Sequence, residues 1–298
     1  FLKKQSSRIM EIKNLVSISQ QIGKNHQYVQ GGGGNTSVKI NNYTMAIKAS
    51  GSLLKNMSLT HGYCLIQYPK IKELLISTIN EKTFNSKVQK LVYPNSPSNN
   101  PSIETSFHAI GEKYVIHSHS IYANILNCTK EGQNIIKNLF PEAMSLPYHD
   151  VGFNLALALI NKLKQYKTIP NIIFLQNHGL IVTTNSAADT LKLHEYVNTK
   201  IKNYFNIENG RPNTQHKYDI TQDLLFPDQA IYCCSNIAKI TESKAAKETQ
   251  YAYDIILSII DKNSLTPNFL LKTAKEKLLS MESEKHRQQV ILNDNNQT

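Results

Sequence analysis

The feature that most constrains this chain is a short apolar segment, YVI, that runs directly into the triplet His117-Ser118-His119. Such a segment predicts a β-strand, in which successive side chains point to opposite faces. His117 and His119 should therefore share one face, where both imidazoles could bind one metal ion. Among 10 histidines such a pair also arises by chance, and a single strand histidine is more often structural than a ligand.

Two further residues favour a metal site at this pair. His178 follows another apolar strand pattern, NIIFL, and precedes a glycine. Three imidazoles leave one or two positions open on Zn²⁺, as a catalytic site requires. Glu104 lies upstream on a predicted helix and adds a carboxylate that can move a proton beside the ion. We therefore predict a metal site of three histidines with Glu104 as the acid/base group.

Two loops of small residues are typical of sites that bind anions. The first, GGGGNTS, spans residues 31–37, and the second is the Ser50-Gly51 turn after the strand pattern TMAIK. Glycine lets backbone N–H groups approach a ligand, and converging N–H groups bind phosphate. Neither a P-loop nor a dinucleotide fingerprint is present, because a strand follows the first loop and no Lys-Ser/Thr pair closes it. Taken alone, the first loop is equally well interpreted as a flexible turn.

The composition indicates a globular protein. With 298 residues, 40% of them hydrophobic, the chain can bury a large core. No apolar run approaches the roughly 20 residues that span a bilayer, and no signal-peptide pattern opens the chain. We therefore expect a cytoplasmic location and no membrane partner. The four cysteines lack CxxC spacing and are expected to be reduced.

The formal net charge of +11 permits a nucleic acid, a membrane surface or an anionic small molecule as a partner. The lysines are spread along the chain without a long block of like charges or an aromatic-basic stripe. A lysine-rich solvated surface explains this pattern best, and we expect no nucleic-acid partner.

Helix and strand patterns alternate over the first two thirds of the chain. An N-terminal helix is predicted to bury a stripe of residues spaced by three and four, namely Ile9, Ile12, Leu15, Ile18 and Ile22. Interleaved helices and strands predict an α/β or α+β layered domain over residues 1–215, with a central β-sheet flanked by helices. Residues 216–298 are predicted to form a mainly helical C-terminal extension.

Local patterns elsewhere give further predictions. Residues 81–100 are polar and contain proline, which is typical of a surface loop. Ser102 is placed to cap a following helix, and Asp150 or Gly152 is predicted to open the next one, with capping by Asp150 favoured. In the extension, LFPDQ predicts a loop, AIYCC a brief strand, and residues 251–261 and 267–281 two helices. We identify no candidate chemistry in this extension.

Five segments, taken in chain order, resemble the class II aldolase/adducin family. They are GGGNTSVK, IKASG, PSIETSFHA, the HSH strand end and QNHGLIV, and the resemblance covers about residues 8–210. SIET, FPDQ and MESEKHRQ are similar to the branch in which a rhamnulose-1-phosphate aldolase domain is fused to a short-chain dehydrogenase. The dehydrogenase fingerprint GxGxxG is absent from this sequence.

The resemblance implies a lyase that cleaves a ketose 1-phosphate to dihydroxyacetone phosphate and an aldehyde through a metal-stabilised enediolate. By motif, His117, His119 and His178 would hold Zn²⁺ or another divalent ion. Glu104 would carry the proton. A homotetramer with active sites near subunit interfaces is also implied. The residues implied to bind the phosphate of the sugar phosphate are Gly34, Asn35, Ser50, Gly51 and Ser102.

Other members of this family leave alternatives open. Ile103 stands where simple aldolases often have a second phosphate-binding serine. No motif gives a counterpart for the tyrosine that some members borrow from a neighbouring subunit, and Tyr148 is suggested for that role by position alone. Sugar-phosphate 4-epimerases and methylthioribulose-phosphate dehydratases resemble the same pattern, although the epimerases tend to carry Asp at the position of Glu104. Adducin-like binding domains have lost the metal site. The presence of all three histidines favours an active metalloenzyme.

Overall fold

The computed structural model describes residues 2–77, 80–208, 217–281, 285–286 and 288–289. Within this part of the chain, the strands are β1 (Asn35–Lys39), β2 (Thr44–Lys48), β3 (Tyr63–Gln67), β4 (Tyr114–Ser118), β5 (Met144–Leu146), β6 (Ile172–Leu175) and β7 (Gly179–Thr184). The helices are α1 (Leu2–Lys24), α2 (Tyr68–Ser77), α3 (Glu81–Gln89), α4 (Thr105–Ile110), α5 (Ile121–Asn127), α6 (Gly132–Leu139), α7 (Phe153–Leu163), α8 (Ala187–Tyr204), α9 (Pro227–Tyr232), α10 (Ala238–Thr241), α11 (Lys244–Lys262) and α12 (Lys272–Ser280).

The strands form one sheet in the order β3-β2-β1-β4-β7-β6-β5. All neighbours run antiparallel except β5 and β6, which are parallel. In the β1–β4 pair Asn35 lies opposite His117, and in the β4–β7 pair Ser118 lies opposite Leu180. The start of β1, the end of β4 and the start of β7 therefore meet at one end of the sheet.

Both faces of the sheet are covered by helices. On one face, alternate strand residues such as Met45, Ile47 and Val115 pack with helices α2, α3, α4 and α7. On the other face, residues of opposite parity such as Ala46 and Ile116 pack with α1, and β6 and β7 pack with α5, α8 and α11. Period-two alternation of this kind is expected of strands buried on both faces. The predicted α/β layered fold is confirmed.

Helix α1 buries the predicted stripe except for its first member. Ile12, Leu15 and Ile22 are buried, whereas Ile9 is 48% exposed. Residues 6–10 are all exposed, so the first turns of the helix lie outside the core. The prediction was wrong for Ile9 because helical spacing does not show how far the covering sheet extends.

The first half of the predicted loop at residues 81–100 is the helix α3. Asn80 caps this helix by accepting a hydrogen bond from the Thr83 N–H at 2.9 Å. Phe84 and Val88, one turn apart, are buried against the core. The loop prediction was wrong for residues 81–89, because two buried apolar residues one turn apart anchor a helix whose other residues are polar.

Neither Ser102 nor Asp150 caps a helix, whereas Gly152, the alternative start of the second helix, lies directly before α7. Helix α4 starts one residue after Glu104, and Ser102 Oγ accepts a hydrogen bond from the Glu104 N–H at 3.2 Å instead. Helix α7 is preceded by Gly152, whose φ of 87° is accessible mainly to glycine. Asp150 pairs with Lys277 on α12 at 2.6 Å. Each side chain that was expected to cap a helix interacts with another group instead: Ser102 with the Glu104 N–H and Asp150 with Lys277.

We define the C-terminal segment as the described residues 217–281. Helices α11 and α12 confirm the predicted pair, but with bounds of 244–262 and 272–280 instead of 251–261 and 267–281. LFPDQ and AIYCC are not a loop and a strand, because Pro227–Tyr232 forms α9. Pro227 suits the first turn of a helix, where its missing N–H is not needed. Tyr253 and Ile256 on α11 pack with Ile121 of α5 in one core.

The division of the chain at residues 215/216 remains a prediction, because residues 209–216 lie outside the described part, as does His216. The MESEKHRQ motif is described only in part. Among the described residues, no helix has the length and apolar character needed to span a membrane.

We predict that Phe84→Ala lowers the free energy of unfolding by about 3–5 kcal/mol, because it removes a fully buried ring from between α3 and α7. Asn85→Ala is the matched control, since its side chain is exposed on the same helix and the change should stay within about 0.5 kcal/mol. Denaturant unfolding monitored by circular dichroism measures both. Equal, small effects of the two substitutions would contradict a buried α3.

Candidate metal centre

Four predicted side chains converge at one end of the sheet. Glu104, His117, His119 and His178 each offer one ligand atom, and these atoms lie within 4.8 Å of one another. All four residues are buried. The structure therefore contains a buried cluster of three imidazoles and one carboxylate that could bind a metal ion.

The sheet and its turns place these side chains. His117 lies within β4 and His119 directly after it, as the alternation of a strand predicts. His178 lies in the turn between β6 and β7, where Asn177 has a positive φ of 52°. This turn packs so closely on β4 that a Cβ on Gly179 would lie 2.3 Å from the Ser118 carbonyl oxygen. Glycine at that position lets His178 reach the cluster.

Hydrogen bonds fix the tautomers of two of the imidazoles. His117 Nδ1 lies 3.1 Å from the Leu180 carbonyl oxygen, an acceptor, so Nδ1 carries the proton. His119 Nδ1 donates in the same way to the Asp228 carboxylate. The two Nε2 atoms, left as lone pairs, face each other at 3.1 Å. Two facing lone pairs in a buried site repel each other unless a cation lies between them.

Glu104 completes the cluster. Its Oε2 atom accepts a hydrogen bond from Asn35 Nδ2 at 2.6 Å and lies 3.5 Å from His117 Nε2. Its Oε1 atom lies 3.1 Å from His178 Nε2. Oε1 is buried, and its contact with His178 Nε2 lacks the geometry of a hydrogen bond. A buried carboxylate oxygen in this state is ready to accept a proton or a cation.

The charges of the cluster follow from burial and proximity. Burial lowers the pKa of His117 well below its usual range, so this imidazole is neutral. Burial raises the pKa of Glu104, but the neighbouring imidazoles of His117 and His178 outweigh it and hold the pKa well below the usual range. An ionised carboxylate beside the neutral imidazole of His117 is the state that metal ligands require.

The donor set fits a divalent transition metal. Bonds of about 2.0–2.1 Å at a tetrahedral angle separate two neighbouring nitrogen ligands by roughly 3.3 Å. The distance of 3.1 Å between His117 Nε2 and His119 Nε2 is close to this value. Glu104 Oε1, a buried oxygen without a hydrogen bond of proper geometry to any described residue, also favours a bound cation at this position. Imidazole ligands suit zinc, iron, copper or nickel, and the cluster by itself does not select among them.

A polar chain behind Glu104 sets the orientation of Asn35. His108 Nδ1 lies 2.7 Å from Ser37 Oγ, and His108 Nε2 donates to Asn35 Oδ1. Burial lowers the pKa of His108 to about 3, so its ring is neutral. The Asn35 amide nitrogen is thereby directed to Glu104. His108 therefore acts on Glu104 through Asn35.

A small cavity that opens to solvent adjoins the cluster. Glu104, His119 and His178 line one part of it. Its lining also includes every residue proposed from the sequence for phosphate: Gly34, Asn35, Ser50, Gly51 and Ser102. Ile103 lines the same cavity, whereas Tyr148 lines a neighbouring one with Asp150 and Lys277. The two small-residue loops and the cluster thus open into one space.

The sequence did not single out two charged residues of this site. Lys48 lines the cavity, is 4% exposed, and donates to the Gly32 carbonyl oxygen at 3.3 Å. Its position directly before the Ser50-Gly51 turn was a signal that could have found it. Asp228 is fully buried and contacts His119, and the FPDQ motif that contains it was a signal that could have found it.

Comparison with known proteins identifies the family. Residues 13–205 match the family described as class II aldolase and adducin N-terminal domain. This match spans well over half of the chain, so the chain belongs to that family. No curated protein sequence matches the chain significantly.

Solved structures share the fold. The N-terminal class II aldolase domain of a conserved protein from Thermoplasma acidophilum is 26% identical, with a TM-score of 0.58 over 65% of this chain and 93% of that one. YgbL from Klebsiella pneumoniae is 18% identical, with a TM-score of 0.51 over 68% and 91%. An aldolase II superfamily protein from Pseudomonas syringae is 10% identical, with a TM-score of 0.50 over 98% and 94%. At identities of 18% and 10%, the last two are similar in fold alone.

We predict that the purified protein holds about one divalent ion per chain, and that His117→Ala and His178→Ala each remove most of it, because only two imidazole ligands then remain. His61→Ala, a substitution of an exposed histidine, is the control and should keep the wild-type metal content. Elemental analysis after gel filtration measures the ratio. Unchanged metal content in both cluster variants would exclude this site.

Proposed function

We propose that this chain is a metal-dependent aldolase that cleaves a ketose 1-phosphate to dihydroxyacetone phosphate and an aldehyde. The observation that carries the proposal is the single cavity that joins the cluster of Glu104 and the three histidines to the two small-residue loops. A ligand with an oxygen-bearing end and a phosphate end matches both parts of this cavity. Zinc is the metal we favour, since three imidazoles with a carboxylate suit it well.

The phosphate end is assigned to Gly34, Asn35, Ser50, Gly51 and Ser102. Lys48 adds a positive charge to the same wall, and a buried cation attracts a phosphate strongly. Ser102 Oγ also accepts from Asn35 Nδ2 at 3.2 Å, so the hydroxyl is already oriented. The fixed loops would hold the phosphate at a set distance from the cluster.

The metal end is assigned to His117, His119 and His178. A divalent ion bound there supplies Lewis-acid polarisation of substrate oxygens. The fixed tautomers of His117 and His119 keep both Nε2 lone pairs aimed at one point, so little reorganisation is needed on binding. Burial of the three rings excludes bulk water from the reacting atoms.

Glu104 is assigned the proton transfer. In the cleavage direction the bond between C3 and C4 of the ketose breaks, the C4 hydroxyl loses its proton as the aldehyde forms, and a proton is added at C3. Glu104 Oε1, which is buried and whose contact with His178 lacks the geometry of a hydrogen bond, is the atom that we propose carries this proton. Asn35 holds the other oxygen in place.

Family membership and the name of the Thermoplasma acidophilum domain support an aldolase. The name of YgbL carries aldolase, epimerase and decarboxylase together, so the reaction needs a direct test. A homotetramer, a cytoplasmic location and a domain boundary near residue 215 are further parts of this proposal. Their tests are the mass of the protein in solution, the location of a tagged chain, and limited proteolysis.

We predict that the protein with Zn²⁺ exchanges an α-proton of dihydroxyacetone phosphate with deuterium from solvent, and that Glu104→Gln lowers this rate by about 100-fold or more. The amide has the shape of the carboxylate but cannot take up the proton, so exchange should be lost. The three histidine ligands are unchanged, so the metal content should remain. Proton NMR in deuterated water measures the exchange. Glu142→Gln, at an exposed glutamate, is the control.

Two outcomes would contradict this proposal. Unchanged exchange in Glu104→Gln would remove Glu104 from the reaction. Loss of the bound metal in the same variant would make Glu104 a required ligand instead of a proton carrier. An epimerase or dehydratase on this scaffold is distinguished by a screen of aldehydes with dihydroxyacetone phosphate and Zn²⁺, in which only an aldolase forms a new carbon–carbon bond.

We predict that Lys48→Met raises the dissociation constant of dihydroxyacetone phosphate by about 10- to 100-fold, because a charge-assisted hydrogen bond is worth about 1.5–3 kcal/mol. Metal content should stay the same. Lys55→Met is the matched control, since Lys55 is exposed in the turn that follows and does not line the cavity. Isothermal titration calorimetry measures the binding. Equal affinities of the two variants would place the phosphate elsewhere.

A further inference from the structure

The C-terminal segment reaches the site at several points although it lies beyond the matched family region, which ends at residue 205. Pro227 lines the cavity, and Asp228 contacts His119. Tyr232 and Glu248 contact the glycine loop, residues 31–34. These contacts come from two helices, α9 and α11, that are far from the cluster in sequence.

The contact between Asp228 and His119 is enclosed. Asp228 is fully buried and His119 is 4% exposed. A Cβ on Gly33 would lie 2.7 Å from His119 Nδ1 and 2.9 Å from Asp228 Oδ2. Glycine is thus the residue that leaves room for the pair. A carboxylate so placed fixes the proton on His119 Nδ1 and the orientation of the ring.

The glycine loop is held by the same segment. The Gly31 N–H donates to Glu248 Oε2 at 2.9 Å, and the Gly32 N–H donates to the Tyr232 hydroxyl at 3.1 Å. The Gly33 N–H donates within the loop, to the Gln30 carbonyl oxygen at 2.9 Å. Three of the four glycine amides therefore fix the shape of the loop instead of binding a ligand.

We infer that the C-terminal segment is part of the site: Asp228 is a positioning residue for the metal ligand His119, and Tyr232 with Glu248 positions the glycine loop for the phosphate. The inference rests on the metal and phosphate sites of the proposed function. The matched family region by itself therefore lacks the carboxylate that positions His119 and the side chains that hold the glycine loop. The C-terminal segment thereby influences the affinity for the metal ion and for the phosphate, although none of its residues is assigned to bind either one directly.

The first experiment measures zinc affinity of the full chain by competition with a chelator. Asp228→Asn keeps the shape of the side chain but removes its charge, and should raise the zinc dissociation constant roughly 10- to 100-fold. Asp254→Asn is the matched control, because Asp254 is a buried aspartate on α11 that bonds Gln250 at 2.7 Å and lies outside the cavity lining. Its zinc affinity should remain that of the wild type.

A cobalt-substituted protein gives a second readout. If Asp228 positions His119, the visible spectrum of bound Co²⁺ changes in Asp228→Asn and not in Asp254→Asn. Equal zinc affinity and equal spectra in the two variants would overturn the inference. This failure differs from failure of the proposed function, in which His117→Ala would also leave zinc binding unchanged.

The second experiment measures binding of inorganic phosphate by calorimetry. Tyr232→Phe removes the hydroxyl that accepts from Gly32, and should weaken phosphate binding about tenfold while the zinc affinity is unchanged, since one hydrogen bond is worth about this factor. Tyr253→Phe, at another fully buried tyrosine of the same segment, is the control. Phosphate affinity equal to that of Tyr253→Phe would overturn the role assigned to Tyr232.

Discussion

The register of β1, β4 and β7 is the constraint on which the site depends. Backbone hydrogen bonds place Asn35 opposite His117 and Ser118 opposite Leu180. A slip of one residue would turn every side chain of a strand to the other face, and the hydrophobic layers on both faces oppose such a slip. The packing of the sheet therefore also fixes where the imidazoles meet.

Burial gives this cluster its chemical character. Inside the protein each polar atom needs a partner, and the chain provides one for most of them: Leu180 for His117, Asp228 for His119, and the amide of Asn35 for Glu104. What remains are inward-facing nitrogen lone pairs and one carboxylate oxygen. A divalent ion would bind the nitrogen lone pairs, and a proton could be carried by the carboxylate oxygen.

The C-terminal segment changes how the site is understood. The matched family region contains the four clustered side chains, but their supports extend beyond it to α9 and α11. Tyr253 and Ile256 on α11 also share a core with α5, which begins just after His119. Packing and polar contacts thus connect the same two parts of the chain, and the segment stabilises the fold and the site together.

The sequence by itself determined what depends on local order: the period of two that puts His117 and His119 on one face, the strands around His178, and most helices. Only the tertiary structure decided contacts between distant residues, such as Asp228 with His119 and His108 with Asn35. It also decided that the polar residues 81–89 form a helix, because Phe84 and Val88 are buried against the core. Periodicity is a property of the backbone that the sequence displays directly, whereas a contact between distant segments exists only once packing has brought them together.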